Sequence, residues 1–170
     1  YQSSDYTYYN DSESTWYLAM NPQFENLKKV QEAATPVTAG NTVNKTVLAI
    51  EDFRKALSYS LNRADFNLQL SPTSGVAKAL LSSMIVADPD SGRTYRSLDQ
   101  AKDAILNFWG LADQWGEGKT YATRDEAIDS ITGYDPEGAK VLFTNAYNKA
   151  VADGYLSKEV IDSGKWEVQI

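Results

Sequence analysis

Chemistry in this chain must come from oxygen acids, hydroxyls, amides and basic side chains, because it contains no histidine and no cysteine. Without histidine it lacks the side chain that most readily moves a proton near neutral pH, and the commonest transition-metal ligand. Without cysteine it has no thiolate nucleophile, no disulfide and no zinc–thiolate site. A serine–histidine triad is impossible within these residues. Paired carboxylates remain, such as Asp11 with Glu13 and Asp125 with Asp129. Glycoside hydrolysis needs one member of such a pair held protonated by apolar surroundings, and neither pair has flanking residues that would do this. The run Asp88-Pro89-Asp90-Ser91-Gly92 suggests calcium. An EF-hand loop from Asp88, however, would put Gly92, Arg93 and Asp99 where a ligand, the glycine and the closing glutamate belong, so the run reads as a solvated turn. Gly110, Gly116 and Gly118 form neither GxxxxGK[ST] nor a strand-led GxGxxG. The sequons at Asn10 and Asn44 are no more than chance tripeptides supply. No catalytic residue, metal ligand or cofactor is expected.

The elements around these residues are mostly helical. Of 170 residues, 42% are hydrophobic and 23% charged, an ordinary globular composition that fits one compact domain over 1–170. The net charge of −7, with no basic run, argues against nucleic acid and against an anionic membrane surface as partners. No apolar run approaches the length of a transmembrane helix. Residues 1–14 read as a polar arm, without the pattern of a signal peptide. Residues 15–21 (TWYLAMN) alternate as a strand, with Trp16, Leu18 and Met20 on a core face and Tyr17, Ala19 and Asn21 on the other. Residues 24–34 form a short helix, and 35–45 a loop. Phe53, Ala56, Leu57, Ser60 and Leu61 make the buried stripe of a helix over 51–62, with Glu51 and Lys55 as an i,i+4 pair. Helical turns flank a break at 71–75. Ser97 with Gln100, and Thr123 with Glu126, read as capping boxes. The first opens a helix with the stripe Leu98, Ala101, Ile105, Phe108 and Trp109, stopped by Gly110; the second opens one ended by Gly133. Asp135 and Pro136 start the longest helix, whose stripe is Ala139, Leu142, Phe143, Ala146, Tyr147, Ala150 and Val151, closed at Asp153-Gly154. Residues 166–170 (WEVQI) alternate as a second strand, able to pair with the first or with strands elsewhere. The class is α+β, helix-rich with a small sheet. Arg54 and Arg63, nine residues apart, fall on opposite sides of one ideal helix and read as structural, with Arg63 meeting its last carbonyls.

Three segments, in order, resemble one family. Residues 15–21 are similar to the aromatic-rich strand ending in Asn of the peptide-binding proteins of ABC importers, the extracellular solute-binding protein family 5. Residues 52–63 (DFRKALSYSLNR) look like that family's Arg-x-Ala-Leu helix ending in Asp-Arg or Asn-Arg. Residues 134–140 (YDPEGAK) resemble the entry to a later helix of the same lobe. Family members have two lobes that close on a ligand, and the resemblance covers part of the second lobe, a partial periplasmic-binding-protein type II-like fold. It implies an internal piece of a lipoprotein that captures oligopeptides at the outer face of the cell membrane or in the periplasm. Its partners would be the peptide and the permease subunits, and an upstream lipid anchor would supply the only membrane attachment. The ligand-bordering positions map to Tyr17, Ala19 and Asn21. Another cargo (a sugar, a metal chelate or a peptide pheromone) and a helical surface-interaction domain without a small ligand are the alternatives.

Overall fold

Capping chemistry sets several of the helix edges. In this computed structural model, which describes residues 15, 17–36, 43–70, 76–79, 81–164 and 166–170, the helices are α1 (Phe24–Ala33), α2 (Glu51–Ser60), α3 (Arg63–Leu70), α4 (Asp99–Phe108), α5 (Arg124–Asp129), α6 (Pro136–Ala152) and α7 (Lys158–Ser163). Two 3-10 turns, Lys45–Ala49 and Tyr95–Ser97, precede α2 and α4. The expectations placed on the arm 1–14, on Trp16, on 37–42 and on the break at 71–75 lie outside the described residues.

The chain divides into two compact units. One comprises residues 18–61 and 134–170; the other comprises 62–133 and, of the described residues before 18, Thr15 and Tyr17. The first is organised by α2 against α6. Asp135 accepts a hydrogen bond from the Gly138 N–H at 2.9 Å and Pro136 takes the first turn, as the sequence predicts. At the other end the Tyr155 N–H reaches the Ala150 carbonyl at 2.8 Å and the Gly154 N–H the Val151 carbonyl at 3.3 Å. This is the Schellman arrangement, made possible by Gly154 at φ +70°. Ala146 and Ala150 are buried, so α2 can approach closely, and Phe53 fills the gap with its ring edge-on to Phe143 at 5.5 Å. Leu27, Val47, Leu48, Ile50, Leu156 and Val160 complete this core.

The second unit has a smaller core of Ile105, Leu106, Ala127, Ile128 and Ile131. Here α4 ends in the same manner as α6, with Leu111 N–H to Leu106 O at 2.8 Å and Gly110 N–H to Asn107 O at 3.2 Å, Gly110 at φ +69°. Thr123 caps α5 through the Glu126 N–H at 3.2 Å, while the Glu126 carboxylate turns back to the Ala122 N–H at 2.9 Å.

Several sequence expectations are corrected. Described residues 17–21 form no strand, nor do 166–170, and the two segments do not pair in a ladder. Alternation alone cannot hold a strand without a hydrogen-bonding neighbour. The sheet instead is the hairpin β1 (Val86–Asp88) with β2 (Arg93–Thr94), built around the turn whose flanks are too short to show a period. Leu18, expected in the core, is exposed. The helix over 51–62 stops at Ser60, because the Asn62 side chain serves the next helix: its amide donates to Asp65 at 2.7 Å and its carbonyl accepts from the Asp65 N–H at 3.3 Å. Arg63 therefore opens α3 rather than closing α2. Ser97 does not cap α4; its hydroxyl donates to Thr94 O at 2.7 Å within the 3-10 turn, and the helix begins two residues later. Phe108 faces outward, and Leu106, outside the expected stripe, is fully buried. Ser130 ends α5, three residues ahead of Gly133.

Candidate functional site

The segment expected to border a ligand is short and exposed. Tyr17 is 72% exposed and Leu18 67%. Ala19 and Asn21 are exposed as well, whereas Met20 packs on the core that contains Phe53. The Asn21 side-chain carbonyl accepts from the Gln23 N–H at 2.9 Å, and the Gln23 side chain in turn accepts from the Asn26 amide at 2.6 Å. This Asx turn, set by Pro22, aims the chain into α1. One acceptor of Asn21 is therefore committed to local structure, while the Tyr17 ring and the backbone around Ala19 are open to solvent. The boundary between the two units falls between Tyr17 and Leu18, so these three positions do not belong to a single unit.

The arginines are held by backbone and rings. Arg54 donates to Leu48 O at 2.6 Å, fixing the 3-10 turn that leads into α2. Arg63 donates to Ala77 O at 3.3 Å and to Gly133 O at 3.2 Å, with its guanidinium 5.8 Å from the Trp109 ring centre. Arg124 lies 4.7 Å over the Trp115 ring and pairs with Asp99 at 2.8 Å and with Asp103 at 3.4 Å. Trp115 and Tyr121 pack onto the core of the second unit. The pairings of Arg63 and Arg124 are not visible in the sequence because each depends on loops that fold back across the helices, and no residue-type pattern marks them.

Asp88 is a turn residue. Its carboxylate accepts from the Ser91 hydroxyl and from the Asp90 N–H at 3.1 Å, which together hold its pKa below the ordinary aspartate value. Asp125 pairs with Lys102 at 2.7 Å and Asp129 with Lys78 at 2.7 Å. Each carboxylate thus has its own cation, the opposite of the apolar setting that would keep one protonated.

Asn44, read only as part of a sequon, is a buried structural residue. At 2% exposure and φ +51°, its amide donates to Glu167 O at 2.7 Å. Beside it the Gln169 N–H reaches Val43 O at 3.2 Å, and Thr46 donates from its N–H to the Gln31 side chain of α1 at 3.1 Å and from its hydroxyl to Tyr155 O, in the connection between α6 and α7, at 3.0 Å. No family model, curated protein or solved structure matches this chain.

Proposed function

We propose that this chain is a non-catalytic portion of an extracellular solute-binding protein that captures oligopeptides for an ABC importer. The reading rests on the three segments that resemble the family, in the family's order. The observation that carries it is at the segment 17–21: Met20 anchors the chain to the core organised by Phe53, and Tyr17, Ala19 and Asn21 are each exposed along the chain. An exposed tyrosine beside a small residue suits recognition of peptide backbone, with side chains left in wet, permissive pockets. The protein carrying this chain would then work outside the cytoplasm, hand its cargo to permease subunits and reach the membrane through a lipid anchor elsewhere in its sequence.

Calorimetric titration of the protein that carries this chain, with a pool of peptides of differing length and composition, tests the reading. Binding heat is expected, and Tyr17→Ala should weaken affinity by about three- to tenfold, the equivalent of about 1 kcal/mol. An absence of heat across the whole pool overturns the proposal, and heat only with sugars or metal chelates would move the cargo to another class.

A further inference from the structure

Residues 62–133 leave the first unit after Leu61 and return to it at Tyr134. Just outside the ends of this excursion the Asp135 N–H donates to Tyr59 O at 2.9 Å, and within it one side chain joins the first residues to the last. Arg63, the second residue of the excursion, donates from one terminal nitrogen to the carbonyl of Gly133, its last residue, at 3.2 Å. From the other it donates to Ala77 O at 3.3 Å. The guanidinium also sits beside the ring of Trp109, whose indole N–H donates to Lys78 O at 3.1 Å. Four separate stretches of chain, around 63, 77, 109 and 133, therefore converge on one planar cation. A lysine has no fork with which to span two carbonyls in this way.

Gly133 is shaped by the same contact. It stands at φ +66°, and a Cβ placed there would lie 1.7 Å from the Arg63 guanidinium nitrogen and 3.1 Å from Trp109. Positive φ alone would favour glycine or asparagine; the approach of the guanidinium excludes any side chain while Arg63 stays in place. Among the described residues, the core of this excursion, from Ile105 to Ile131, draws on residues within it.

We infer that Arg63 is a clasp that shuts the base of residues 62–133 and makes that excursion a separately cooperative unit. When the clasp is lost, this unit opens locally while the unit of α2 and α6 stays closed. Native-state hydrogen exchange on the full chain tests it. In Arg63→Ala, amides of α4 and α5 should exchange about ten- to a hundredfold faster, as expected when a charged donor to backbone carbonyls is removed, while amides of α2 and α6 keep their rates. Arg63→Lys should restore only part of the protection. Gly133→Ala should accelerate the same amides in the native background, and do so by a smaller factor in the Arg63→Ala background, where the clash no longer exists. Equal acceleration in both units, full protection retained in Arg63→Ala, or strictly multiplicative effects of the two substitutions would overturn the inference.

Discussion

The two units reach stability by different means. In the unit of α2 and α6, small alanines let two helices close on an aromatic wedge, and Phe53, Tyr147 and Trp166 gather with ring centres within 5.8 Å of one another or of a shared neighbour. Its polar contacts include amides on backbone, as at Asn44 and Gln31, and one guanidinium on a single carbonyl, Arg54 on Leu48 O. In the unit of α4 and α5 the buried apolar cluster is smaller, and two arginines lie against tryptophans. The lesson is that a small core gains definition from cations whose forked geometry reaches several carbonyls and rings at once, whereas a larger one relies on shape.

That contrast can be broken most directly in the cores. Phe53→Ala should cost about 3–5 kcal/mol, seen in denaturant unfolding, with faster hydrogen exchange confined to residues 18–61 and 134–170. Leu106→Ala, its counterpart in the smaller core, should cost about 2–4 kcal/mol and act on α4 and α5 instead. If either substitution loosens both units alike, the division is wrong. Asn44→Ala removes the donor to Glu167 O and places a Cβ-bearing residue without a compensating amide at positive φ. A loss of about 1–3 kcal/mol is expected, with early release of residues 166–170. Arg124→Met keeps an unbranched apolar stem but removes the guanidinium and its charge from Trp115 and Asp99. About 1 kcal/mol should be lost, and the stability of the variant should depend less on added salt than that of the parent.

The smallest effect is at the surface pair Glu51–Lys55, 2.7 Å apart on α2. The hydrogen bond to Lys55 first, then its charge, hold the Glu51 pKa below the ordinary glutamate value, and the same pair raises that of Lys55. The contribution of Glu51 is present above its unfolded pKa and fades as pH falls through its lowered folded one. The contribution of Lys55 is present below its unfolded pKa and is lost as pH rises through its raised folded one. NMR titration of the Glu51 carboxyl in Lys55→Ala should show its midpoint moving up, and an unchanged midpoint would remove the pair from the account.

What was readable in the chain differs by region for the same reason. The caps at Thr123 and Asp135, the glycines at 110 and 154 and the buried alanines of α6 act within a turn or two of themselves, so their residue types suffice. The end of α2 was misplaced because Asn62 could serve either helix, and its bond to Asp65 decided the matter. The segment at 17–21 reads as a strand with Leu18 and Met20 on a core face; Met20 packs on the core, but Leu18 is exposed and no neighbour supports the strand.

By itself the sequence determined the helix-rich character, the caps at Thr123 and Asp135, the turn at Asp88 and the lack of histidine and cysteine chemistry, since each depends on local geometry or on composition. Only the tertiary structure decided that Arg63 meets Gly133, that Arg124 covers Trp115 and that Asn44 holds Glu167. The first and last of these contacts join residues 70 and 123 positions apart, the second spans a folded loop, and no local pattern encodes which carbonyl or ring a long polar side chain will find.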